Sequence, residues 1–255
     1  MVVSRRAAVA ALLIAAVGCG TPARDGRGPA RDDGAAARDE GAARRTPSAG
    51  ADRADLARRA ERAAQRVGAV LGQKVRPRVE VAADAREAAR MAGVASVEGL
   101  AAVADAGRVI VIPEMYARLT PTGRDVVLTH ELTHVAAGTA GLPAWLYEGF
   151  ADYVAYKDAG LAVPVAAAEL AAEVRAGREP RSLPGPEAFA PGSARLAQSY
   201  QEAWLACRFL AERLGEARLV KLYHDARRAG AERALPWPVA ELTDRWRRYV
   251  RKELA

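Results

Sequence analysis

The sequence predicts an α+β fold, a small antiparallel or mixed sheet followed by a mostly helical region. Three observations carry this expectation. Alternation of apolar and polar residues is confined to short stretches between Arg78 and Ile112. After Pro121 the apolar residues recur with a helical period, broken only by Gly and Pro clusters at 138–143 and 177–192. Strands thus come first and helices afterwards, the order of an α+β domain and not of an alternating α/β one. With 255 residues, 51% of them apolar, the chain can bury one sizeable core or two small ones. A collagen, a disulfide-stapled miniprotein and a wholly disordered chain are excluded by the same composition.

The first fifty residues stand apart from that domain. Arg5 and Arg6 make a positive start, and 7–17 is an uncharged apolar stretch of signal-peptide length, too short to span a bilayer. Residues 1–18 are expected to be a signal peptide. Val17-Gly18-Cys19 resembles a bacterial lipobox, although Ala16 stands where such motifs prefer Leu. Cys19 is therefore the expected lipidation site, with an ordinary secretory signal cleaved nearby as the alternative. Residues 19–50 are dominated by Arg, Asp, Ala, Gly and Pro, with no aromatic and no aliphatic larger than Ala. Such a segment cannot bury enough surface to offset its ordering entropy and reads as a disordered tether. The expected location is the outer face of a bacterial membrane, held there by lipid, or otherwise secreted. Cys207 lies between Trp204 and Phe209 in a helical pattern and reads as a buried, inert thiol.

The folded domain is expected over 51–255. Leu56, Ala60, Ala63, Val67, Val70 and Leu71 give 51–72 a helical period. Residues 78–82 alternate as a strand, and 84–91 reads as a short helix. Residues 100–104 and 108–112 flank Asp105-Ala106-Gly107, a strand–turn–strand signal.

Two of the three histidines fall in His130-Glu131-Leu132-Thr133-His134. On a helix, positions i and i+4 share a face, so both imidazoles can reach one ion. The context suits a helix. Thr120-Pro121 supplies an N-cap and a proline at the first helical position, Val126, Val127, Leu128, Leu132 and Val135 supply packing, and Gly138 ends it. A catalytic zinc wants three protein ligands and an open position. Ala137 and Ala140 stand where a metzincin carries its glycine and third histidine, so that class is excluded. No Asp, Glu, His or Cys lies between His134 and Glu148, which makes Glu148 the first candidate for the third ligand. Asp152 follows one turn later on the same face, where it can accept the other N–H of a ligating histidine. A solvated pair of helix carboxylates is the bland alternative.

These residues resemble a known family. His130-Glu131-x-x-His134, a short loop, then Pro143-x-Trp145-Leu146-x-Glu148-Gly149-x-Ala151-x-Tyr153 is similar to the gluzincin metallopeptidases, among them the compact bacterial "peptidase MA-like" proteins. The resemblance runs from about Val79 through both motif helices and continues weakly through 199–204 and 246–249. It implies one zinc ion per chain held by His130, His134 and Glu148, with Glu131 as general base and Asp152 behind a histidine. It implies hydrolysis of a peptide or protein by zinc-activated water. An oxyanion donor from a later helix is also implied; Tyr200 is the candidate and His224 its rival. The strand at 108–112 is the expected edge for an extended substrate. The Gly-x-Met-Glu-Asn exopeptidase signature is absent, so aminopeptidase specificity is not carried over.

Beyond Val239 the chain carries Arg245, Arg247, Arg248, Arg251 and Lys252. They read as a solvated face with Leu242, Trp246 and Tyr249 packed inward, or as a basic face lying on anionic lipid. The net charge of +7 comes without a nucleic-acid recognition motif, and no nucleic-acid partner is expected. A monomer is expected. Two competing classes remain: a zinc-binding but catalytically idle surface lipoprotein acting as an interaction scaffold, and a helical lipoprotein with no metal.

Overall fold

Helices dominate the computed structural model, which describes residues 49–190 and 192–255, and they are joined by one three-stranded mixed sheet. This is the expected α+β arrangement. The signal peptide, Cys19 and nearly all of the tether lie outside the described residues.

Helix α1 (Ala49–Leu71) leads to β1 (Val79–Val81) and α2 (Ala85–Ala92). Asp84 caps α2 by accepting from the Glu87 amide at 2.8 Å, while the Glu87 carboxylate accepts from the amide of Ala83. Orphan donors of the first turn are thereby satisfied from both sides. β2 (Ala102–Asp105) and β3 (Arg108–Val111) form the expected hairpin, in the register Ala102↔Val111 to Asp105↔Arg108. Its two-residue turn has φ of 42° at Ala106 and 84° at Gly107, the signature of a type I′ loop. An alanine there is strained, so Ala106→Gly should raise stability by about 1 kcal/mol, read as a higher denaturant midpoint. A lower midpoint would mean the loop is not held in that shape.

The sheet corrects one expectation. β1 pairs in parallel with β3, Val79 opposite Val109, so the strand order is β1-β3-β2 and β3 is central. The strand at 108–112 has both edges occupied and cannot receive a peptide. Among the described residues the outer strands are β1 and β2, and β2 is the one that packs on the motif helix.

That helix is α4 (Pro121–Ala137), preceded by the short α3 (Pro113–Ala117). Thr120 caps α4 through the amide of Gly123 at 3.1 Å, and Gly138 (φ 70°) closes it, as the sequence predicts. Every residue from Val126 to His134 is buried, because α1, the sheet and α5 (Ala144–Tyr156) surround the helix. The buried Thr129 and Thr133 hydroxyls donate back to the carbonyls of Asp125 and Thr129, both at 2.7 Å. Arg59 of α1 ties the start of α4 down through the Pro121 carbonyl (2.9 Å) and Asp125 (2.8 Å).

After α6 (Val163–Ala166), α7 (Ala168–Arg175) and a 3-10 turn at Pro186–Phe189 comes α8 (Leu196–Leu214), packed along α5. The two backbones meet at Gly149, where a Cβ would stand 2.1 Å from the Ala203 carbonyl oxygen. Cys207 is buried there, its thiol on the Leu146 carbonyl at 3.7 Å and pushed well up by burial; it is the inert thiol expected. α9 (Glu216–Ala229) closes over the end of α4: Tyr223 donates to the Gly138 carbonyl at 2.6 Å and Arg227 to that of Ala137. α10 (Ala231–Ala234) and α11 (Val239–Leu254) complete the chain, with Leu242, Trp246 and Tyr249 inward as expected.

Candidate metal centre

His130 and His134 leave α4 on one face, and Glu148 and Asp152 leave α5 on the face opposite them. The loop at 138–143 turns α5 back on α4. Ligand atoms of His130, His134 and Glu148 all lie within 4.8 Å of one another, and all three residues are buried. The Glu148 Oε2 stands 3.2 Å from the His130 Nε2 and 3.3 Å from the His134 Nε2; the two nitrogens are 2.9 Å apart. Behind them the His130 Nδ1–H donates to the Asp152 Oδ1 at 2.7 Å. That bond holds the ring so that its Nε2 faces His134 and Glu148.

Two imidazole nitrogens and a carboxylate oxygen therefore converge on one point. Burial lowers the His134 pKa, against the pull of Glu148, and keeps that ring neutral. Burial raises Glu148, yet His134 and His130 outweigh it and hold its carboxyl below the usual range. Burial opposes charge on His130, yet Asp152, with Glu148 and Glu131, pushes its pKa well above the usual imidazole range; burial above all raises that of Asp152. This donor set fits a divalent metal ion: His130, His134 and Glu148 can hold one, in the HExxH…E pattern. Two further buried atoms have no partner, the Glu131 Oε2 and the His134 Nδ1. Each such orphan costs roughly 1–3 kcal/mol, so stability alone does not account for the cluster.

Glu131 sits beside the three ligands and is not one of them. Burial above all, then the charge of Glu148, pushes its carboxyl well above the usual range, against His130 and a hydrogen bond from the Ala104 backbone amide. Tyr200 is buried with its ring against that of His130, 6.1 Å between centroids, and against Phe189 of the 3-10 turn at 5.1 Å. His224 is half-buried, and its ring meets the neighbouring Tyr223.

Sequence reasoning missed two neighbours. The Tyr147 ring stands edge-on to His134 at 5.9 Å, and burial, then Glu148, pushes its phenol up to about 12. Its position immediately before Glu148 was the available signal. The Ala104 amide, a backbone group, leaves no trace in residue type. Comparison with protein-family models, with curated proteins and with solved structures finds no match for the chain.

Proposed function

We propose that the chain is a zinc-dependent peptidase of the gluzincin kind, exported and tethered at the bacterial cell surface through Cys19. One observation carries the reading. Glu131 is buried with an unpartnered oxygen directly beside three convergent ligand atoms, an arrangement a purely structural metal site does not need. A zinc ion bound by His130, His134 and Glu148 supplies a water acidic enough to deprotonate near neutral pH and a Lewis acid for the scissile carbonyl.

The protein's own groups do the rest. Glu131 accepts the water's proton and delivers it to the leaving amine. The Ala104 amide orients that carboxylate. Asp152 fixes the His130 tautomer. Tyr200, from the helix next to His130, is the candidate donor to the developing oxyanion. The Ala101 carbonyl bonds to Ile112, so by alternation the backbone groups of Ala102 and Ala104 face away from β3. β2, the outer strand packed on α4, thus turns the Ala104 amide toward Glu131.

The deciding variant is Glu131→Gln. It should keep its metal while hydrolysis of a casein or peptide-library substrate falls by about 10²–10⁴-fold. Retained hydrolysis in that variant would remove Glu131 from the base role. A second reading, metal held by an idle scaffold, draws on the near-complete burial of all three ligands. It is the outcome if the wild-type protein holds zinc and cleaves nothing.

A further inference from the structure

Some two and a half turns along α8 from Tyr200, a groove of about 580 Å³ opens between α8 and α11. Arg213, Arg245, Arg248 and Lys252 line it against a single carboxylate, Glu212. Glu212 is already engaged by Arg208 at 3.0 Å and by the Tyr249 hydroxyl at 2.8 Å. Arg245 pairs with Glu241 and Lys252 with Glu253. Arg213 and Arg248, both exposed, have no carboxylate partner among the described residues. The floor is aromatic: Phe209 packs on Tyr249 at 5.4 Å and on Trp237 at 6.1 Å. Arg213 lies over the Phe209 ring at 5.8 Å, and Arg245 over the Trp237 ring at 4.7 Å.

The apolar surroundings are an independent observation. Four large apolar side chains are exposed among the described residues, Val81, Leu161, Val165 and Val239. Two of them lie near this face. Val239 follows the half-buried Trp237 by two residues. Leu161 lines a neighbouring groove of about 300 Å³ that shares Glu212. Unpaired guanidiniums beside an aromatic floor, with exposed aliphatics nearby, match a surface that is anionic outside and apolar just beneath. That is the headgroup layer of a negatively charged bilayer. A nucleic acid would engage the cations and rings but gives the exposed aliphatics nothing to meet.

We infer that this face of α8 and α11 docks on anionic phospholipid. Arg213, Arg248 and Lys252 meet the phosphates, while Trp237 and Val239 enter the headgroup region. α11 keeps Leu242, Trp246, Val250 and Leu254 in the protein core, so the contact is a docking of the folded domain. No helix among the described residues is long and apolar enough to cross the membrane.

The test is co-sedimentation of the full chain with vesicles of phosphatidylcholine, alone or mixed with phosphatidylglycerol. Wild type should prefer the anionic vesicles, and R213Q/R248Q should lose about tenfold to thirtyfold of that preference. The N-terminal segment is common to both proteins, so the difference reads this face. Both arginines are exposed, and the melting temperature should not move; K252Q, expected to lose several-fold, serves as a second variant. Raised salt should weaken the binding. Anionic vesicles should shift tryptophan emission to the blue, and W237F should lose that shift. Equal partitioning of wild type and both variants would overturn the inference, as would indifference to phosphatidylglycerol. So would full competition by inorganic phosphate at matched ionic strength, which would mark a soluble phosphate ligand, or binding to heparin as tight as to anionic vesicles, which would mark a generic polyanion site.

Discussion

Glu148→Ala should abolish stoichiometric metal binding by the full chain. Of the three ligand groups it is the carboxylate, and His134 and His130 beside it hold its carboxyl below the usual range. Its Oε2 is also the atom that closes the triangle, within 3.3 Å of both ring nitrogens. Removing it leaves two imidazoles of one helix in a buried space, a poor site for a divalent ion. Loss of an outer partner costs about 10–100-fold in metal affinity, so Asp152→Asn should fall in that range and Glu148→Ala beyond it. Elemental analysis after dialysis, with a competitive chelator titration, separates the two. A full metal complement in Glu148→Ala would move the third ligand elsewhere. A wild-type protein without metal under zinc-replete conditions would end the metallopeptidase reading.

Gly149→Ala should be strongly destabilising, for its added Cβ meets the tightest contact of any glycine among the described residues. The added methyl would stand 2.1 Å from the Ala203 carbonyl oxygen, 2.5 Å from its carbon and 3.0 Å from the Cys207 sulfur. The first two are backbone atoms of a buried helix and cannot rotate away. Overpacking costs about 1–3 kcal/mol where side chains can give, and here the two helices themselves must separate, so at least the upper value applies. A loss of about 3 kcal/mol lowers the melting temperature of a domain this size by roughly 6–12 °C. α5 carries Glu148 and Asp152 while α8 carries Tyr200, so the same displacement should weaken metal binding in step with stability. An unchanged melting temperature would mean that α5 and α8 do not cross as closely as described.

The metal helix was legible from sequence because each of its signals is local: the Thr120-Pro121 start, the i, i+4 histidines and the closing Gly138. Glu148 and Asp152 were readable for the same reason, a fixed spacing on a second helix after a loop of definite length. What the sequence hid is non-local. Nothing in Val79-Glu80-Val81 says that it pairs in parallel with the strand thirty residues on, and that pairing makes β3 central and β2 the edge. Gly149 reads as a helix-weakening residue until the carbonyl of Ala203 is brought against it. Tyr200 could be assigned to a helix, but its place beside His130 depends on how α8 lies along α5. Local rules do not determine such a packing.

The ties between α4 and α9 bear on how the protein is made. Tyr223 and Arg227 hold the carbonyls of Gly138 and Ala137, contacts 85 and 90 residues apart along the chain. The motif helix leaves the ribosome long before the residues that secure its end. Contacts of such long sequence separation form late, because loop closure must precede any gain from them. A nascent chain halted before Tyr223 would leave the end of the motif helix without the two groups that hold its last carbonyls. Capture of metal in its final geometry is thus an event of the finished polypeptide.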